Sequence, residues 1–137
     1  MRISREQARE RFRTARVARL ASADGLGRPH VVPIVFAVSG DELITAVDWK
    51  PKSGSTLRRI RNIEQNPQVS VLVDRYDEDW EQLWWARADG TAELLETHPL
   101  LDELIAKYPQ YQRKPPGGGL IVIHVERWSG WAMNPDA

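Results

Sequence analysis

The first third of the chain alternates short β-branched stretches with tight-turn signals, and this pattern restricts the fold more than any other feature. Residues 17–23 and 29–38 are apolar or alternating stretches on either side of an Asp-Gly pair at residues 24–25. Such a pair between two strand-like stretches is a strong hairpin signal. A second turn signal at residues 39–41 leads into residues 42–48. Because short turns join antiparallel neighbours, we predict three strands in a meander.

The rest of the chain adds further strands with short helices between them. Strands are predicted at residues 69–73, at residues 83–95 with a bulge at Gly90, and at residues 120–128. Helices are predicted after a Ser4 cap, before Pro67 with Leu57, Ile60 and Ile63 on one buried face, and over residues 98–107. Strands in hairpins with helices between them are typical of an α+β, mainly β architecture.

The length of the chain limits the ways in which the unpaired edges of the sheet can be covered. With 137 residues we expect a single domain over residues 1–137. A closed or half-closed antiparallel barrel of six strands is the economical arrangement at this size, because it covers most strand edges.

Composition excludes several classes of function. The chain has no cysteine, which rules out thiolate catalysis, disulfides, zinc knuckles and iron–sulfur clusters. Its formal net charge is zero, so no global positive field attracts nucleic acid or a membrane surface. The N-terminus is charged throughout and no apolar run approaches membrane-spanning length. We expect a cytoplasmic protein with neither a nucleic-acid nor a membrane partner.

The strongest functional signal is a basic segment at residues 50–61, which contains no acidic residue. Its basic side chains are Lys50, Lys52, Arg58, Arg59 and Arg61. Ser53, Ser55 and Thr56 add hydroxyl groups just before a predicted helix, whose positive dipole end would point at the same place. Arg58 and Arg59, in the first turn, could reach the same anion. The segment therefore predicts a phosphate site, with a solvated basic helix behind an ordinary serine cap as the alternative.

An acidic loop and a group of tryptophans follow the basic segment. Residues 74–81 carry five acidic side chains against one arginine, with neither a calcium-loop spacing nor a nearby histidine, so we predict a solvated loop. Trp84 and Trp85 are adjacent on a predicted strand and must point to opposite faces. One face would pack the barrel and the other would need a partner subunit or a flat ligand; core filling plus one exposed ring is the alternative.

Acid–base groups are scarce, and no catalytic residue can be named. The three histidines, His30, His98 and His124, show no metal-ligand spacing, and we interpret each as structural. We therefore expect no metal site, and an enzyme built on this chain would let a cofactor carry the chemistry.

Four segments resemble the split β-barrel flavin and deazaflavin oxidoreductases, the superfamily named for pyridoxine 5′-phosphate oxidase. They are GRPHVVPIVFAV at residues 27–38, residues 47–80, LWWARADGTAEL at residues 83–94 and VERWSGW at residues 125–131. The likeness is to the small actinobacterial branch of probable coenzyme F420-dependent enzymes. It implies a six-stranded antiparallel split barrel with short covering helices, the FMN-binding split barrel.

The resemblance also implies where a cofactor phosphate binds. Flavin-binding relatives hold it with a short Ser-Arg-Lys element that precedes an Asn-Pro pair. Here Leu57, Arg58 and Arg59 stand at those positions, so the serine is missing and the hydroxyl would come from Ser53, Ser55 or Thr56. The extra Lys50 and Lys52 suit a more negatively charged ligand, which favours coenzyme F420 over FMN.

The resemblance further implies a homodimer with cofactor sites at the interface. The cofactor ring would lie near Pro33, Val35 and Val47. Aromatic residues of the other chain would flank its open side, and the candidates are Trp80, Trp84, Trp85 and Trp128. The implied function is hydride transfer between reduced F420 and a small electron-poor acceptor. An FMN oxidoreductase or a non-catalytic flavin- or deazaflavin-binding protein is the alternative.

Overall fold

The computed structural model describes residues 1–47 and 57–136. The strands are β1 (Ala18–Ala23), β2 (Pro29–Ile34), β3 (Ala37–Ser39), β4 (Glu42–Ala46), β5 (Gln68–Arg75), β6 (Trp84–Leu95) and β7 (Leu120–Ala132). The helices are α1 (Arg5–Thr14), α2 (Arg58–Gln65), α3 (Leu101–Lys107) and α4 (Pro109–Arg113), with a 3₁₀ turn at Trp80–Gln82.

Helix α1 forms where the sequence supplies its cap. The Ser4 hydroxyl accepts a hydrogen bond from the Gln7 N–H, and the Gln7 side chain accepts one from the Ser4 N–H. This reciprocal pair satisfies two backbone donors that the helix leaves free. Ala8 and Phe12 are fully buried on the inner face, as the apolar spacing predicts. The helix therefore covers one end of the sheet.

All seven strands belong to one antiparallel sheet, in the order β2-β1-β5-β6-β7-β4-β3. The two edge strands, β2 and β3, are separated in the chain only by Val35 and Phe36. The three Cα–Cα steps from Ile34 to Ala37 span at most roughly 11 Å, so the two edges of the sheet must lie close together. The sheet is therefore curled into a barrel. Since β2 and β3 do not pair, the barrel is split at this point, which confirms the predicted fold.

The predicted meander is wrong, because the second predicted strand is two strands. Residues 29–34 pair with β1, whereas residues 37–39 pair with β4 at the other edge of the sheet. At the break, the Val35 carbonyl accepts a hydrogen bond from Thr45 Oγ1 at 2.7 Å. Phe36 bonds to the Tyr108 hydroxyl through both its N–H and its carbonyl. Side chains thus satisfy the backbone that a continuous strand would have paired.

Other boundaries differ modestly from the predictions. The last strand continues to Ala132, and its far end pairs with the start of β6, from Trp84 onward. The third helix begins only at Leu101, because residues 98–100 form the turn that precedes it. A separate short helix, α4, begins at Pro109 and is absent from the predictions.

The predicted bulge at Gly90 is confirmed. The register between β6 and β7 shifts between Asp89 and Gly90. A Cβ atom at Gly90 would collide with the backbone carbonyl of His124 on the neighbouring strand. Only glycine permits this close approach of the two backbones.

Two apolar clusters hold the fold together. The larger one fills the barrel and includes Phe12, Phe36 and Trp128, with α2 adding Ile63 and, more peripherally, Leu57 and Ile60 as predicted. The smaller one packs α3 and α4 against β3, β4 and β7, through residues such as Leu104 and Tyr108. None of the helices in the described ranges is long and apolar enough to cross a lipid bilayer.

Candidate functional site

An open cavity of about 460 Å³ lies beside the split in the barrel. Its walls come from the end of β2, from β4, from the first turn of α2 and from α4. The lining residues are Val17, Pro33, Ile34, Val35, Thr45, Ala46, Arg59, Tyr108, Pro109, Gln110 and Tyr111. Most of this surface is apolar, and among the described lining residues Arg59 is the one charged group. An apolar cavity with a single cation suits a flat, mostly apolar ligand that carries an anionic group. We call it the split cavity.

Tyr108 ties together the elements around this cavity. Its hydroxyl oxygen accepts a hydrogen bond from the Phe36 N–H and lies 3.1 Å from the carbonyl oxygens of Phe36 and Arg16, to either of which it can donate. The Arg16 guanidinium stacks over the Tyr108 ring and donates to the Lys107 carbonyl. Burial raises the pKa of the Tyr108 hydroxyl. The hydroxyl therefore stays protonated and fixes the break between β2 and β3 to the helices.

Lys107 reinforces the same junction. Its ammonium group donates to the Phe36 carbonyl at 3.1 Å and lies 4.0 Å from the centre of the Phe36 ring. Burial, and then repulsion from Arg16, lowers the pKa of Lys107 to about 8. Burying half of a charged ammonium group is unfavourable in free energy. The Phe36 carbonyl and the faces of the Phe36 and Tyr108 rings offset part of this desolvation penalty.

Three residues are predicted to contact the cofactor ring. Two of them line the split cavity and the third does not. Pro33 and Val35 contribute to the wall. Val47 is buried in the main core, and its backbone pairs with Gly118 and Gly119. It directly follows Ala46, which does line the cavity.

Helix α2 separates the two arginines that were predicted to share an anion. Arg59 lines the split cavity, whereas Arg58 lines a second cavity beside the helix. They stand about 100° apart on the helix, because successive residues advance by that angle. Leu57, the residue before α2, provides no side-chain cap. The remaining predicted phosphate ligands, Lys50, Lys52, Ser53, Ser55 and Thr56, lie outside the described residues.

The four predicted aromatic flanking residues have different environments. Trp80 is 67% exposed, on the 3₁₀ turn that follows the acidic loop. Trp84 and Trp85 are half-buried on opposite faces of β6, as predicted; Arg11 stacks on Trp84, and the Arg87 guanidinium lies over the Trp85 ring.

Trp128 has a different role from the one expected. It is 5% exposed, packs edge-on against Phe12 and donates from its Nε1 to Asp41 at 2.9 Å. That hydrogen bond is the main reason why the pKa of Asp41 is lowered. Trp128 is therefore a core residue of its own chain, and it lines neither of the two cavities beside α2.

Two of the histidines have structural partners. His98 lies within hydrogen-bonding distance of Glu42, and its Nδ1 accepts from the Leu100 N–H before α3. His124 lies between Glu42 and Glu93. Within residues 1–47 and 57–136, no group of histidines and carboxylates is arranged to hold a metal ion.

Sequence reasoning missed the side of the split cavity that α4 provides. Tyr108, Gln110 and Tyr111 follow a helix that ends at a proline, and such a segment has no periodic pattern. The proline at residue 109 marks a break, but nothing local indicates that residues 108–111 return to the break between β2 and β3. That contact depends on tertiary packing.

Comparison with known proteins assigns the chain to a family. The sequence profile described as pyridoxamine 5′-phosphate oxidase matches residues 4–132. The chain belongs to the pyridoxamine 5′-phosphate oxidase family. This membership confirms the resemblance stated from the sequence. Among curated proteins, none matches the sequence.

Solved structures of the same fold cover nearly the whole chain. An FAD-binding protein from Mesorhizobium loti is 24% identical with a TM-score of 0.69, and 95% of each chain is covered. The FAD-binding protein from Mycobacterium smegmatis is 16% identical with a TM-score of 0.62, covering 96% of each chain. The heme storage protein HutZ from Vibrio cholerae is 19% identical with a TM-score of 0.64, covering 93% of this chain and 92% of its own. These likenesses establish the fold.

Proposed function

We propose that this protein is an oxidoreductase that uses coenzyme F420 and transfers a hydride between the reduced deazaflavin and a small electron-poor acceptor, such as an enone or a quinone. The observation that carries the proposal is the split cavity, where apolar walls meet Arg59 of the basic segment at residues 50–61. Family membership and the FAD-binding neighbours support a flavin-type cofactor.

The residues of the split cavity fit such a cofactor. Pro33, Val35 and Ala46 offer apolar contact to a flat ring, and Arg59 offers a cation for a phosphate. The cavity volume, about 460 Å³, is within the usual range for small-molecule sites. The bound deazaflavin would supply the hydride chemistry, and the protein would supply binding and orientation.

The side chains of this chain would act by positioning and by excluding water. Tyr108 and Lys107 hold the break between β2 and β3 in place, so that Pro33 and Val35 keep a fixed position in the wall. Fixed apolar walls restrict the orientation of the ring against the acceptor and so favour transfer. Arg59 would bind the cofactor phosphate together with Lys50 and Lys52, and the geometry favours Arg59 over Arg58 for this role.

The choice of F420 over FMN rests on the basic segment. The position of the serine in the Ser-Arg-Lys element holds Leu57, whose side chain can donate no hydrogen bond to a phosphate. The additional lysines at positions 50 and 52 favour a ligand with more negative charge. An FMN enzyme, or a protein that carries a flavin without catalysis, is the second candidate, and the FAD-binding neighbours favour it.

We also propose that the protein is a homodimer whose partner chain completes the site. The split cavity is open on one side, and Trp80, Val31 and Leu26 are large side chains that are mostly exposed. Exposed apolar side chains of this size are typical of surfaces that bind another chain.

The decisive experiment is a fluorescence titration of the full-length protein with F420, in parallel with absorbance titrations with FMN and FAD. We expect F420 to bind in the micromolar range and more tightly than FMN. The double variant Lys52→Ala with Arg59→Ala should lose this binding. A control with the same charge change, Arg13→Ala with Arg127→Ala, should retain it, because both arginines are exposed and line neither cavity.

Turnover distinguishes an enzyme from a carrier. Reduced F420 should be reoxidised when an enone or a quinone is added with catalytic amounts of protein. Equal F420 binding by the double variant and its control would refute the proposed site. Binding without reoxidation by any acceptor would favour the carrier.

A further inference from the structure

A second cavity, of about 430 Å³, lies between the outer face of α2 and the turn that joins β1 to β2. It is lined by Asp24, Arg28, Arg58, Arg61, Asn62 and Gln65. The four helical residues lie within about 100° of one another around the helix axis, on two successive turns. Unlike those of the split cavity, the described residues that line this one are all polar or charged.

Hydrogen bonds hold the two walls of this cavity together. The buried side chain of Asn62 donates from its Nδ2 to the Ser22 hydroxyl on β1 at 3.1 Å. The Gly25 N–H in the turn donates to the Gln65 side chain at 2.9 Å. The helix and the turn therefore form a fixed frame, and the cavity is not a chance gap between mobile loops.

The charges around the cavity are unbalanced. Asp24 is the one acidic side chain among the described residues that line the cavity. Its two carboxylate oxygens already accept hydrogen bonds from the N–H groups of Leu26 and Arg28 and from the Arg28 side chain. These bonds lower the pKa of Asp24 to about 2, so the Asp24–Arg28 pair is neutral overall. Arg58 and Arg61 form no ion pair with any residue of the described ranges. The cavity therefore has a net charge of about +2.

We propose that this cavity binds a small oxyanion of the phosphate class, held by the guanidinium groups of Arg28, Arg58 and Arg61. Guanidinium groups recognise such anions through paired N–H donors. The Asp24 carboxylate does not compete for these donors beyond Arg28, because its own bonds are already made. Arg59 is about 100° from Arg58 and about 160° from Arg61 around the axis of α2, and it lines the split cavity instead of this one. The site is therefore separate from the proposed cofactor phosphate and goes beyond the proposed function.

The first test is an isothermal titration of the full-length protein with inorganic phosphate, with chloride replacing phosphate at equal ionic strength as the reference. We expect saturable binding that falls about tenfold or more in Arg61→Gln, the cost of one charge-assisted hydrogen bond. Arg58→Gln should show a similar loss. Arg127→Gln, which removes an exposed arginine on β7, should bind phosphate as the unmodified protein does. Non-saturable binding, or equal binding by Arg61→Gln and Arg127→Gln, overturns the proposal.

The second test asks whether the site is independent of the cofactor. FMN carries a phosphate that riboflavin lacks, so the ratio of their affinities reports on the cofactor phosphate. We expect Arg61→Gln to leave this ratio unchanged. A fall in the ratio that matches the loss of phosphate binding would show that the cavity holds the cofactor phosphate, and would overturn a separate site. If no flavin or deazaflavin binds, the proposed function fails while the phosphate titration still decides this proposal.

Discussion

Removing the hydroxyl of Tyr108 should destabilise the protein by more than its small change in volume suggests. Tyr108→Phe keeps the ring, with its edge-on contact to Tyr111 and the stacked guanidinium of Arg16. It removes the oxygen that accepts from the Phe36 N–H and the proton that bonds a carbonyl of Phe36 or Arg16. The perturbation is therefore confined to hydrogen bonds.

The size of the loss in stability depends on which buried group is left without a hydrogen-bond partner. Phe36 is fully buried, so its N–H loses its acceptor where water cannot replace it. A buried donor without a partner costs about 1–3 kcal/mol, and the lost O–H···O bond adds roughly 0.5–1.5 kcal/mol. Lys107 still bonds the Phe36 carbonyl, which limits the total. We expect a loss of about 2–3 kcal/mol in the free energy of unfolding, or roughly 8–12 °C in Tm for a chain of this length.

Urea and thermal unfolding followed by circular dichroism measure this loss, and amide hydrogen exchange at Phe36 localises it. The control is Tyr76→Phe, because Tyr76 is mostly exposed and its free energy of unfolding should change by less than about 0.5 kcal/mol. If Tyr108→Phe is as stable as Tyr76→Phe, the hydroxyl does not hold the break between β2 and β3, and the reasoning is refuted.

Three further changes test other parts of the structure. Gly90→Ala should cost about 2–3 kcal/mol in thermal unfolding, because the new Cβ collides with the His124 carbonyl; Gly25→Ala, whose Cβ would make only ordinary contacts, is its control. The lowered pKa of Asp24 means that its ionised form contributes stability above pH 4, which is lost as the pH falls toward about 2. The gap between the urea midpoints of the unmodified protein and Asp24→Asn should therefore close over that interval, and a constant gap would contradict the assignment. For Lys107, whose pKa is lowered to about 8, the penalty of holding a charged amine is relieved as the pH rises from about 8 toward 10. Stability should rise over that interval in the unmodified protein and less so in Lys107→Met, as measured by urea unfolding at several pH values.

Local signals were enough to predict most of the strands and helices. The Ser4 cap, the turn after β1 and the bulge at Gly90 each depend on residues close in the chain, and the structure has all three. The apolar face of α2 and the opposed faces of Trp84 and Trp85 likewise follow from the periods of a helix and a strand. The family could also be identified from residues alone, since its motifs are contiguous.

The site was only partly predictable. The sequence indicated a basic helix start and an apolar strand beside it, and Arg59, Pro33 and Val35 do line one cavity. It did not indicate that Arg58 and Arg59 would line different cavities, because that depends on which face of α2 packs against β1. Nothing in the sequence around Trp128 indicates whether its ring is buried or exposed. Only the packing of α1 shows that it is buried against Phe12.

The sequence by itself determined which stretches are strands, where they turn, and which family the chain belongs to, because hydrogen bonding and side-chain alternation act over a few residues. Only the tertiary structure decided that the stretch at residues 29–38 divides between the two edges of the sheet. The groups that make this break stable, Phe36 and Tyr108, are 72 residues apart in the chain. A contact over that distance leaves no periodic pattern, and the opening of the barrel beside the split cavity depends on it.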